Sequence, residues 1–113
     1  MPRDAALLLD MLLAASDAIE FVDGLDQTGF EASRLHQAAV IRCLEIIGEA
    51  AGKVSEEARV RHPDLPWRDM TGMRHRLIHG YAEVRVDVVW RVVQADLPGL
   101  ITALEALVGS AQR

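Results

Sequence analysis

The sequence predicts an all-α fold, an up-and-down bundle of four main helices plus a short one, and three observations carry that expectation. Half of the 113 residues are hydrophobic and 26 % are charged, the balance of one folded globular domain spanning residues 1–113. Aromatic residues supply only 4 %, while Ala and Leu are the most frequent residues, and these favour helices where sheets draw on β-branched and aromatic side chains. Apolar residues also recur every three to four positions over long stretches, the period of a helix with one buried face.

The first helix is expected over residues 4–23. Leu8, Met11, Leu12, Ala15, Ile19 and Val22 form its apolar stripe, and Arg3, Asp10 and Asp17 line the opposite side. Leu7, Leu9 and Leu13 widen the stripe, which suits either deep packing or a subunit contact. Residues 24–27 read as a loop. Thr28 and Glu31 have the spacing of a capping box, so a second helix is expected from there to about Val54. Its inward residues are Val40, Leu44, Ile47, Ala51 and Val54, with Arg42, Glu45 and Glu49 as a solvated stripe held by intrahelical ion pairs. Cys43 lies beside the apolar stripe and reads as a small core residue rather than a nucleophile.

Ser55 is suited to cap a short helix over 56–61 that stops before Pro63. Leu65-Pro66-Trp67 then reads as a new helix start with Pro66 in the first helical position, where its missing N–H costs nothing. That helix carries Trp67, Met70, Met73 and Leu77 inward and closes at Gly80. The last helix is expected over 87–109, with Val89, Val93, Leu97, Leu100, Leu104 and Leu107 inward and a bend at Pro98.

Charge and cysteine content narrow the function. The net charge of −5 disfavours a general, charge-driven nucleic-acid binder. Its distribution is uneven: residues 1–58 hold 11 acids against four bases, whereas residues 59–91 hold seven Arg against four acids. An anionic ligand belongs in the middle third. Cys43 is the only cysteine, which excludes an intramolecular disulfide and a Cys-based zinc site and suits a cytoplasmic protein. The N-terminal apolar run is interrupted by Asp10, and no uninterrupted apolar stretch approaches the roughly 20 residues of a membrane span, so neither a signal peptide nor a membrane partner is expected.

Chemistry concentrates in Arg74-His75-Arg76-Leu77-Ile78-His79-Gly80-Tyr81, with two Arg, two His and the only Tyr in eight residues. Three readings stand side by side. Cations can complement the C-terminal end of a helix dipole. His75 and His79, one turn apart, could ligate a metal with Asp69 or His62. A phosphodiester site would use an imidazole to move a proton and guanidinium groups to hold phosphate oxygens. On a regular helix Arg74 and His79 lie about 140° apart. To meet on one ligand, either the helix loosens before His79 or the two groups come together across a dimer axis.

Arg74, His79 and Tyr81 have the form Arg-x4-His-x-Tyr, which resembles the signature of the HEPN superfamily, in particular its HepT-like branch, also described as DUF86. The flanks resemble that branch too: residues 42–50 on the second long helix, Pro66-Trp67 before Met73-Arg74, and Asp87-Val88-Val89-Trp90 with Asp96-Leu97-Pro98 on the last. The resemblance covers roughly residues 4–108. His75 departs from it, because Asn or Asp often follows the motif Arg there.

The resemblance implies a homodimer of helical bundles with both motif copies facing one cleft. It implies a metal-independent ribonuclease toxin that uses no cofactor, with RNA as substrate. Its partner would be a minimal nucleotidyltransferase antitoxin that binds the toxin and transfers AMP to the motif Tyr. Carried over, Arg74 and His79 are the catalytic pair, His75 and Arg76 accessory groups, and Tyr81 the AMP acceptor. Arg68 and Arg85 would help to hold RNA. The competing expectation is a non-catalytic helical module that binds the nucleotidyltransferase.

Overall fold

The computed structural model describes the backbone of residues 2–79 and 84–111 and the side chains of residues 3–73 and 84–109. Among the described residues there is no strand. Helix α1 spans Pro2–Phe21, α2 Gln27–Glu31, α3 Arg34–Lys53, α4 Glu56–Arg61, α5 Trp67–His79, α6 Val86–Arg91 and α7 Leu97–Ala111; a π-helical turn, Val92–Asp96, joins α6 to α7. Helix α3 packs between α1 and α5, and α7 lies against α1. The expected bundle is present among the described residues: α6, the π turn and α7 form its last long helix, and two separate short helices, α2 and α4, stand where one was expected.

The core is built from the residues that the periodicity marks. Leu8, Met11, Ala15 and Val22 of the first stripe are buried, as are all five inward residues of the second. Leu12 and Ile19 are half-buried, and the helix turns Ala14 and Ala18 inward instead. Small residues at these positions let neighbouring helices approach closely. Leu13, one of the three that widen the stripe, is 54 % exposed.

The first helix ends two residues earlier than expected. Val22 and Asp23 donate to the carbonyls of Ile19 and Glu20, which tightens the final turn, and Gly24 then adopts φ +83°. Only glycine takes that left-handed conformation without steric cost. Leu25 donates back to Val22 and completes the turn.

The capping box expected at Thr28 and Glu31 is absent. Asp26 caps instead, its Oδ1 accepting from Gly29 N at 2.7 Å, and opens the five-residue α2. The chain breaks at Ala32, and Ser33 caps α3 by accepting from His36 N. Gln37 Nε2 reaches back to the carbonyls of Phe30 and Glu31, both at 3.0 Å, and ties the first turn of α3 to the end of α2. The break seats Phe30 in the core, fully buried, with its ring centroid 5.4 Å from that of Trp90. The polar stripe of Arg42, Glu45 and Glu49 forms no ion pair within itself; Glu49 pairs instead with Lys53, one turn on, at 3.4 Å.

Ser55 caps α4 as expected, accepting from Ala58 N, and does more. Its N–H and its hydroxyl both donate to Asp4, at 3.0 and 2.7 Å, tying the first turn of α1 to the start of α4. Pro66 stands one place before α5 rather than in its first position, because its carbonyl already accepts the first intrahelical bond from Met70 N.

Pro98 is accommodated by the π turn. Leu97 N donates five residues back to Val92, and Pro98 has no N–H to give, so the carbonyl of Val93 finds neither its i+4 nor its i+5 donor. Widening the turn moves the ring away from the preceding carbonyls and lets the helix continue. The Val86–Gly109 stretch is, against expectation, long and apolar enough by length and composition to cross a membrane. Here Val89, Val93, Leu97 and Leu104 are instead buried against other helices, and Arg91, Asp96 and Glu105 are exposed along it.

Candidate active site

Positions 74 to 79 of the motif occupy the last turns of α5, and local bonds brace that helix from its start. Trp67 Nε1 donates to the His62 carbonyl at 2.9 Å, which ties α5 to the end of α4. Thr71 Oγ1 bonds back to the carbonyls of Trp67 and Arg68, each at 3.1 Å. Met70 is buried and Trp67 and Met73 are packed against the core, as the spacing predicts. A Cβ added at Gly52 of α3 would lie 3.8 Å from Thr71 Cγ2, an ordinary contact, so α3 supports α5 along this side without crowding it.

Helix α5 stays α-helical through His79. The helix does not loosen before His79, and positions 74 and 79 remain about 140° apart within one chain. The same register puts positions 68, 75 and 79 along one side of the helix, within about 40° of one another. The side chains of Arg74, His75, Arg76, Leu77 and His79, and all of Gly80 and Tyr81, lie outside the described residues, as does the expected closure at Gly80. The metal alternative turns on two of those imidazoles.

Arg68 and Arg85 are described, and both are exposed. Arg68 lies in the first turn of α5. Arg85 precedes α6, some distance along the chain, and its Nη2 pairs with Asp87 Oδ2 at 2.8 Å. That hydrogen bond holds the Asp87 carboxyl below its ordinary value. An RNA phosphate at Arg85 must compete with this carboxylate, whereas no described carboxylate pairs with Arg68.

Cys43 is buried, and desolvation first, with Asp17 second, pushes its thiol up, so it is no thiolate nucleophile at neutral pH. What the sequence reading missed is an open groove beside α5, walled by α3, α5 and the π turn, with Asp64, Asp69 and Asp96 among its lining residues. The Asp96-Leu97-Pro98-Gly99 run was the one available signal, because a proline within an apolar helix marks a distortion that must be accommodated.

A family model described as ribonuclease HepT-like matches residues 11–107, a span that contains the whole Arg-x4-His-x-Tyr motif. The chain belongs to the HepT-like ribonuclease family. Among its relatives is a protein of Methanocaldococcus jannaschii provisionally named RNase MJ1380, 38 % identical over 100 residues, covering 88 % of this chain and 92 % of that one. A protein of Thermococcus cleftensis, provisionally named ribonuclease HepT, is 39 % identical over 102 residues, or 87 % and 93 % of the two chains. An RNase, also provisionally named, from Caldanaerobacter subterraneus is 37 % identical over 82 residues, 73 % of each chain. No solved structure matches this HepT-like chain.

Proposed function

We propose that this HepT-like chain is a metal-independent endoribonuclease toxin of the cytoplasm. In this reading it acts as a homodimer and is neutralised by a minimal nucleotidyltransferase antitoxin that binds it and transfers AMP to Tyr81. The observation that carries the reading is the family match across the motif, joined to an α5 that runs regularly to His79. A helix that keeps Arg74 and His79 about 140° apart favours a site assembled from two copies over one built within a single chain.

In such a cleft, His79 of one copy takes the proton from a ribose 2′-hydroxyl, and the 2′-oxygen attacks the adjacent phosphorus. The partner's His79 protonates the departing 5′-oxygen, leaving a 2′,3′-cyclic phosphate on one product. Arg74 neutralises charge that develops on the phosphate oxygens, the kind of electrostatic stabilisation that often supplies the largest part of catalysis. His75 and Arg76 act as accessory groups. Arg68, on the same side of the helix as position 79, holds the RNA backbone, and Arg85 does so where it can be drawn from Asp87. AMP on Tyr81 adds bulk and negative charge where RNA phosphates must sit.

The test is RNA cleavage in the presence of EDTA by the unmodified protein and by His79→Ala. Cleavage by the unmodified protein alone, ending in a cyclic phosphate, is the expected result. A fully active His79→Ala protein overturns the mechanism. No cleavage by either, with Tyr81 shown by mass spectrometry to carry no AMP, identifies the chain as the non-catalytic module that binds the nucleotidyltransferase.

A further inference from the structure

The groove beside α5 has a volume of about 370 Å³, at the lower end of the roughly 300–1,000 Å³ range of ligand pockets. Its floor is apolar. Leu44 and Ile47 of α3, Met70 and Met73 of α5, and Leu97 and Leu100 of α7 contribute to it. Its described charged lining is of one sign. Asp64, Asp69 and Asp96 are all exposed, and none forms an ion pair with another described residue. No Lys or Arg is among the lining residues that the structure describes.

We propose that this groove docks a basic amphipathic helix of another protein, with its apolar face on the methionine and leucine floor and its Lys or Arg residues against the three aspartates. Three features of the site support this occupant. Grooves between helices take the apolar stripe of a further helix, and methionines adapt their shape to whatever side chains enter. The acidic rim selects a cationic flank. It also opposes RNA, which brings phosphates. Because Met70 and Met73 stand just before Arg74 on α5, a helix bound here rests on the element that carries the motif. The inference needs neither catalysis nor the assignment of His79, so it stands or falls apart from the ribonuclease reading.

The probe is a short fluorescent Leu/Lys peptide in helical register, titrated against the full chain by fluorescence anisotropy, with the Leu/Glu counterpart as comparison. The Leu/Lys peptide is expected to bind and the Leu/Glu peptide not to. Combined Asp64→Asn, Asp69→Asn and Asp96→Asn substitutions weaken binding about tenfold, the joint effect of three exposed charges. Ala103→Phe, which fills the groove and leaves the charge unchanged, abolishes it. Equal binding by all variants overturns the proposal, as does failure of the Leu/Lys peptide to bind. Sedimentation of Ala103→Phe as a smaller species than the parent identifies a second copy as the occupant. RNA binding that Ala103→Phe abolishes identifies RNA. Either result also overturns the proposal.

Discussion

Replacing Asp4 with Ala should destabilise the fold by about 1.5–3 kcal/mol, the range for hydrogen bonds to a charged group. Asp4 is only 8 % exposed and accepts from both the N–H and the hydroxyl of Ser55, 51 residues away. The two bonds share one carboxylate and one partner residue, so their effects do not add in full. Position 4 also lies in the first turn of α1, where a negative charge complements the helix dipole. The hydroxyl and backbone bonds from Ser55 hold the Asp4 carboxyl below its ordinary value of 3.8. Its proton affinity is therefore lower in the folded state than in the unfolded one. The stabilisation is fully present above the ordinary carboxylate range and is lost as pH falls through the depressed value. Thermal unfolding followed by circular dichroism at pH 7 and again near pH 2 reads both effects. At neutral pH, Asp4→Ala should melt roughly 5–15 °C below the parent, at a few degrees per kcal/mol for a domain of this size. The gap should narrow in acid. A variant that melts with the parent at pH 7, or a gap unchanged in acid, refutes the reasoning.

Four further outcomes follow from named contacts. Gly24→Ala forces a Cβ into the left-handed region at φ +83° and should cost about 1–2 kcal/mol in denaturant unfolding, although space around the position is open. Leu104→Ala removes a fully buried side chain from α7 and should cost about 2–5 kcal/mol, read by the same titration. The Cys43 thiol should react with a disulfide reagent far more slowly in the native protein than in denaturant; equal rates would show the site open. Arg68→Ala should leave the melting temperature unchanged and lower the salt dependence of RNA binding by about one phosphate contact, whereas an unchanged slope removes Arg68 from the interface.

Periodicity determined the four long helices and most of the buried stripes, because a helix of this composition needs one apolar face and records it every three to four residues; the capping chemistry of serine determined the Ser55 cap. Thr28 and Glu31 misled because local spacing alone does not choose between caps. Two capping patterns competed a few residues apart, and burial of Phe30 against Trp90 decided for Asp26 and Ser33. The Asp4–Ser55 tie was illegible because nothing in either segment specifies a partner 51 residues distant. Motif recognition pointed to α5, but whether the helix loosens before His79 is a backbone question, and only the folded chain answers it. The groove is more strictly tertiary still. Asp64, Asp69 and Asp96 are unremarkable surface acids until α3, α5 and the π turn before Pro98 set them around one apolar floor. Sequence fixes which faces must be buried, since that depends on neighbours along the helix; which faces meet, and what remains uncovered between them, depends on how whole helices pack.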